Sequence, residues 1–223
     1  MCGRFALSAP LSSIAQDYFR LAGVDWPEGP RFNITPGTDI PAFLNAGEAG
    51  LQLSGLHWGY RPAGVQDGPT PINARAERAA TSPYFREAFA GRRCLIPADG
   101  WFEWQAQGGE KQPWFVTQRP GAPDPVIFFA GLWTPGADGG PGTCAILTEP
   151  AAPAFAPIHH RQPVVVDPAC RWAWLDPTLR DRMAIRRAVQ RLDPGRLHAY
   201  PVSSRVNRPG EDDADLLRPL DPE

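Results

Sequence analysis

Lysine is almost absent from this chain. Of its 22 basic residues only Lys111 is a lysine; the rest are arginines. Asp and Glu number 24, so the net charge is −2, which excludes a protein coated in positive potential. Any grip on nucleic acid has to come from a few converging guanidiniums, whose planar fork suits phosphate oxygens. A coding bias toward Arg, Ala, Pro and Gly accounts for most of the skew, yet it has a chemical corollary. Few side-chain amines compete with the N-terminal amine for an aldehyde.

Cysteine is scarce too. The four, at positions 2, 94, 144 and 170, show no Cys-x-x-Cys spacing, so neither a zinc site nor a redox pair is indicated, and no metal or cofactor is expected. Cys94, Cys144 and Cys170 lie in apolar stretches and read as inert core residues. No apolar run reaches the length of a membrane span, and the first residues lack the basic and apolar regions of a signal peptide, so a cytoplasmic protein is expected. No composition shift marks a boundary in 223 residues, which favours one domain. The 27 Pro and 22 Gly are spread out, as in a domain of turns and short strands.

What the chain does have begins at Met1-Cys2-Gly3-Arg4-Phe5. A small residue behind the initiator permits its removal, after which Cys2 presents a thiol and an α-amine on adjacent carbons. Both titrate near enough to neutrality to have a useful reactive fraction. Such a 1,2-aminothiol converts an aldehyde first to a Schiff base and then to a five-membered ring, or takes an acyl group as a thioester. Taken alone, an incidental Cys2 at a disordered terminus fits as well.

Further along, Leu11, Ile14, Ala15, Tyr18 and Phe19 form an apolar stripe at helical spacing after Ser8-Ala9-Pro10. Arg31 to Gly37 reads as an extended piece ending in a Pro36-Gly37 turn, and 40–44 and 51–58 as a strand pair. In Asn73-Ala74-Arg75-Ala76-Glu77, strand alternation sets Asn73, Arg75 and Glu77 on one face, an amide beside a guanidinium. A helix is expected from Ser82-Pro83 to Phe89, then a strand at 94–97. Asp99-Gly100-Trp101-Phe102-Glu103-Trp104 carries the strongest internal signal. Alternation places Trp101, Glu103 and Gln105 on one face and Phe102 and Trp104 on the other. A carboxylate between large aromatics is desolvated, which raises its pKa toward neutrality, and exposed aromatics could stack on unpaired bases. Three more strands are expected at 113–118, 126–132 and 143–147.

His159 and His160 precede an apolar strand at 164–166. A loop histidine there suits general acid or base work, whereas adjacent histidines point apart and make a poor metal pair. Asp167-Pro168 and Asp176-Pro177 are expected to open two helices, and 197–203 to form a late strand. The acidic stretch 211–223 is expected to be partly disordered.

Taken together, Met1 to Phe5, Asn33 with Pro36-Gly37, Trp58-Gly59, Asn73 to Glu77, Asp99 to Trp104, Ile158-His159 with Arg161 and Pro163, and Pro201-Val202-Ser203 with Val206-Asn207 resemble the SOS-response-associated peptidase family, the abasic-site-processing proteins. The resemblance implies an α+β fold, a single domain over 1–210 with a barrel-like antiparallel sheet core and flanking helices, followed by the acidic tail 211–223. It implies a covalent thiazolidine cross-link between Cys2 and an abasic site in single-stranded DNA, with Asn73 positioning the amine, Glu103 moving protons and His159 protonating the opening sugar. Arg4, Arg75 and Arg161 would hold flanking phosphates, Asn33 would lie on the DNA-binding surface, and Pro36 and Trp104 would lie near the neighbouring bases. It further implies peptidase action at the bond before Cys2, lyase chemistry and a replication-fork setting at the nucleoid; nothing in the sequence suggests more than a monomer.

Two departures stand out. His160 replaces an acidic or amide residue, and Ala63, Gly64 and Val65 stand where relatives carry tryptophans. Two other classes also fit a Met-Cys start or a cluster of arginines: a class II glutamine amidotransferase-like N-terminal-nucleophile amidohydrolase, and a single-stranded-DNA-binding module without chemistry. The first predicts a downstream Asn-Gly oxyanion element, and the chain contains no Asn-Gly pair.

Overall fold

The computed structural model describes residues 2–220 apart from 25, 28, 66 and 137–139; Met1 and residues 221–223 of the acidic tail lie outside the described residues. The first half of the chain gives β1 (Phe5–Leu7), α1 (Leu11–Phe19), β2 (Arg31–Ile34), β3 (Asp39–Asn45), β4 (Leu51–Trp58), β5 (Asn73–Arg75), α2 (Ala76–Ala79) and α3 (Arg86–Gly91). The second half gives β6 (Arg93–Ala98), β7 (Gly100–Gln107), β8 (Glu110–Gln118), β9 (Ile127–Thr134), β10 (Gly142–Pro150), β11 (Arg161–Pro163), α4 (Arg171–Leu175), α5 (Arg182–Ala188) and β12 (Leu197–Pro201).

One strand closes the core. β10 runs antiparallel to β9 and parallel to β4, while β4–β3, β3–β6 and β6–β9 are antiparallel neighbours, so five strands return on themselves as a small barrel. Closure removes the free edges that an open sheet would expose. Further along, β10 takes β5 on one side and β11 on the other. The fold is thus a single-domain α+β one with a barrel-like core, as the motifs led us to expect.

A second, fully antiparallel sheet runs β12-β8-β7-β1-β2 and packs against the barrel. Its strands alternate as their sequences require. Phe5, Trp101 and Val116 face the barrel core, whereas Ala6, Phe102 and Phe115 form a separate cluster with Val202, Val206 and Leu216 on the outer side. Phe5 meets Trp58 and Phe129 edge-on, with ring centroids 5.4 and 5.7 Å away. Burying such a ring stabilises the fold by about 1.5–3 kcal/mol, and here it fixes where Cys2, Gly3 and Arg4 go. Gly108 and Gly109, at φ +56° and +94°, make the two-residue turn that sets Gln107 opposite Glu110 in the β7–β8 hairpin.

Several local expectations need correction. The extended run from Asn73 ends at Arg75, because the chain turns into α2, so Glu77 does not share a strand face with Asn73 and Arg75. α3 starts at Arg86, not at Ser82, whose hydroxyl instead accepts from the Tyr84 N–H in a preceding turn. Asp176 accepts from Thr178 in a local turn that no helix follows; α5 begins at Arg182, capped by Asp181, which accepts from the Met183 and Ala184 N–H groups. The strand after the histidines is Arg161–Pro163, with Val165 and Val166 making only isolated bridges.

The largest correction concerns the acidic tail. Residues 211–220 pack onto the outer face of the second sheet, with Leu216 fully buried. Asp212 accepts from the backbone N–H groups of Phe32 and Asn33, and Arg205 is gripped by Glu211 and Asp213. Among the described residues no helix is long and apolar enough to cross a membrane.

Leu216→Ala should therefore destabilise the protein by about 2–5 kcal/mol, the range for truncating a buried leucine. Urea unfolding at neutral pH measures this. A loss within about 0.5 kcal/mol, as for an exposed site, would show that the segment is not anchored.

Candidate active site at the N-terminal strand

β1 carries the N-terminal residues into the seam between the two sheets. Phe5 pairs with Trp101, and the Phe102 N–H donates to the Arg4 carbonyl at 3.0 Å, so the chain ahead of β1 runs antiparallel beside Glu103. Cys2 is fully buried there. From the barrel side, Asn73 Nδ2 donates to the Cys2 carbonyl at 2.8 Å, while Asn73 Oδ1 is buried and, among the described residues, accepts no hydrogen bond. Asn73 is fixed in turn by the pairing of β5 with β10, where it stands opposite Ile146. The second residue of the chain is thus held by one sheet through its neighbours and by the other through an amide.

Glu103 faces the same seam with 3% of its surface exposed. Burial pushes its carboxyl up to about 7 from the ordinary 4.5. Burial, and then the nearby Glu103 charge, push the Cys2 thiol well above its ordinary value, so it rests protonated. His159 Nδ1 stands 3.7 Å from Glu103 Oε2 and 3.0 Å from both the N–H and the carbonyl oxygen of Arg161, so either ring tautomer finds a partner. Burial, chiefly, lowers the His159 pKa. His160 is exposed and packs on its neighbour, with ring centroids 4.4 Å apart. A cleft of about 390 Å³ opens in front of this group, lined by Glu103, Trp104, Lys111, His159 and Asn207.

The arginines are less free than their number suggests. Arg4 Nη1 donates to Asn33 Oδ1 at 2.7 Å and to the Val206 carbonyl at 2.6 Å, and its guanidinium lies 5.9 Å from the centre of the Trp104 ring. Asn33 is 6% exposed, and its amide donates to the carbonyls of Arg208 and Glu211. It holds Arg4 and presents no free amide of its own. Trp104 is anchored by donating from Nε1 to Asn207 Oδ1 at 2.7 Å. Arg161 is buried and tied to Glu77 by two hydrogen bonds of 2.5 and 3.0 Å and to the Thr148 carbonyl at 2.6 Å. That pairing holds the Glu77 carboxyl below the usual range. Arg75 is exposed, and Pro36 is half-buried in the turn that Gly37 completes at φ +78°.

The structure therefore gathers Cys2, Asn73, Glu103 and His159 at one seam, and Arg4, Asn33 and Trp104 beside it. Three residues here received no role from the sequence. Asn207 lies in the Val206-Asn207 pair, and Lys111 is conspicuous only as the sole lysine. Thr148 carried no signal. Among the described residues no group of three or more His, Cys, Asp and Glu could hold a metal ion. The seam offers a carboxyl that can gain or lose a proton at neutral pH, an imidazole beside it, and a buried amide oxygen next to Cys2.

Comparison with known proteins gives a consistent picture. Residues 1–209 match the family model described as SOS response associated peptidase (SRAP). The chain is 34% identical to the abasic site processing protein YedK of Escherichia coli, over 99% of this chain and 100% of that one. It is 32% identical to the abasic site processing protein YoqW of Bacillus subtilis, over 97% and 99% of the two chains. A solved structure from Bacteroides thetaiotaomicron shares the fold with a TM-score of 0.83 at 22% identity, covering 98% of this chain and 100% of that one.

The raised Glu103 pKa has a measurable consequence. The folded state holds this proton more tightly than the unfolded chain, so the associated stability is full below pH 4.5 and is lost as pH rises through about 7. The stability difference between wild type and Glu103→Gln, from urea midpoints across this range, should fall as pH rises and then level off. A pH-independent difference would contradict the burial argument.

Proposed function

The chain belongs to the SOS response associated peptidase family, and from that premise we propose that it processes abasic sites in single-stranded DNA by forming a covalent adduct through Cys2. The observation that carries the proposal is the Cys2–Asn73 hydrogen bond beside a carboxyl with a pKa of about 7. Relatives named as abasic site processing proteins match nearly the whole chain.

Removal of Met1 frees the Cys2 amine. The amine attacks the aldehyde carbon of the ring-opened sugar, water departs, and the thiol then adds to the Schiff-base carbon and closes a thiazolidine. A buried thiol that rests protonated suits this order, since the amine acts first. Asn73 Oδ1, without a partner among the described residues, orients that amine. Glu103 accepts the amine proton and returns it to the departing hydroxyl, a task that a pKa near the working pH favours. His159, beside Glu103, donates to the sugar oxygen as the ring opens.

Arg4, Arg75 and Arg161 hold the phosphates around the lesion, Arg161 from within its Glu77 pair. Asn33 serves this surface by fixing Arg4. Pro36 and Trp104 meet the adjoining bases. Contacts of this kind ignore base identity, so binding follows the lesion and falls with salt. Within the same proposal, residues 1–210 are the SRAP domain and 211–223 an acidic segment that braces it. Peptidase action is release of the residue before Cys2, lyase chemistry is secondary, and the protein works as a monomer on exposed strands at replication forks in the nucleoid.

Incubation with a single-stranded oligonucleotide carrying one abasic site, followed by a denaturing gel, tests this. A shifted band should appear with the wild type and vanish in Cys2→Ala and in protein that retains Met1. Glutamine hydrolysis without a band would point to an amidohydrolase, and binding without a band to a module lacking chemistry. Glu103→Ala should slow adduct formation by roughly 10²–10⁴-fold while changing affinity for an aldehyde-free abasic analogue by less than about threefold. Equal losses would remove Glu103 from the proton-transfer role.

A further inference from the structure

Beside the Glu103–His159 cleft lies a second one, of about 340 Å³, lined by polar residues that include Gln107, Glu110, Gln112, Ser203 and Ser204. Lys111 lines both. It is the only Lys or Arg among the residues lining the first cleft, and it is exposed on β8 opposite Ala106. Among the described residues its ammonium makes no hydrogen bond or ion pair. Arg4 and Arg161, by contrast, are tied into the fold. A cation that lines two clefts, with no partner among the described residues, suits a ligand that spans them.

We infer that the strand leaves the lesion cleft on one side over Lys111 and continues into the second cleft. The ammonium takes the bridging phosphate, and the Ser203 and Ser204 hydroxyls donate to backbone oxygens beyond it. This rests on the single-stranded DNA reading above. The Gln112 amide is already committed, donating to the Pro113 carbonyl at 2.7 Å and the Val202 carbonyl at 2.9 Å, so it builds the wall and leaves donation to the serines. Ser203 Oγ accepts from the Arg205 N–H at 3.3 Å, which leaves its own proton for a ligand. Glu110, at the hairpin end of the cleft, repels a phosphate and confines the backbone to the Ser203 side. Contacts to phosphate and sugar oxygens carry no sequence information, so this subsite sets the path of the strand and not its sequence.

The test uses strands carrying a tetrahydrofuran abasic analogue, which has no aldehyde, with flanking nucleotides on both sides, on the 5′ side only or on the 3′ side only. Affinity is read by fluorescence anisotropy across a salt series. Lys111→Gln should weaken binding to the two-sided strand and to only one of the one-sided strands, and should lower the salt slope by about 0.7, the value for one single-strand phosphate contact. Lys111→Arg should restore both. A Ser203→Ala/Ser204→Ala double variant should weaken the same one-sided strand. Unchanged affinity in Lys111→Gln, or equal losses on both one-sided strands, would overturn the proposal. So would a borohydride-trapped adduct on a true abasic strand that forms in Cys2→Ala and disappears on adding Lys111→Arg, because Lys111 would then be a nucleophile. If the wild type binds none of the strands, the underlying DNA reading falls; if it binds and Lys111→Gln matches it, only this inference does.

Discussion

One hydrogen bond, from the Asn73 amide to the Cys2 carbonyl, joins the two sheets at the place where the chemistry is proposed. Its donor is fixed by the barrel and its acceptor by the sheet containing β1, so the distance between Cys2 and its neighbours is set by how the sheets pack. A flexible terminus could not hold this geometry, since ordering each residue costs about 1–2 kcal/mol of backbone entropy. Here Phe5, wedged between Trp58 and Phe129, offsets part of that cost.

Burial at the same seam sets the electrostatics. Desolvation raises the Glu103 carboxyl to about 7 and keeps the Cys2 thiol protonated, while it lowers the His159 imidazole. Each shift makes the neutral form commoner at neutral pH, so the group rests with little net charge. A site of this kind stabilises the fold less than hydrophobic residues of the same size would, a common cost of function.

Much of this was legible in the chain itself, for identifiable reasons. Strand alternation in Trp101-Phe102-Glu103-Trp104 is local, and β7 preserves it, so Glu103 and Trp104 fell on the correct faces. Glu77 failed the same test because α2 begins one residue after Arg75, and nothing in Ala-Arg-Ala-Glu marks that switch. Asp176 offered the chemistry of a helix cap, but that chemistry is identical in an isolated turn. The tail misled because composition counts charges and not their partners. Asp212 pairs with backbone N–H groups and Asp213 with Arg205, and Leu216 anchors the segment. Why Arg161 is tied to Glu77 could not be read locally, since the two lie 84 positions apart.

The placement of β1 also bears on synthesis. Its neighbours in the sheet are β2 and β7, and its register partner Trp101 leaves the ribosome long after Phe5 does. At about 5–20 residues per second, that interval is of order 5–20 s. Through it the leading residues lack their β7 partner and stay open to a methionine-removing aminopeptidase. Under the proposed chemistry, trimming and folding would thereby be ordered in time: Met1 would be removed while the chain is still growing, before Cys2 is buried between the sheets.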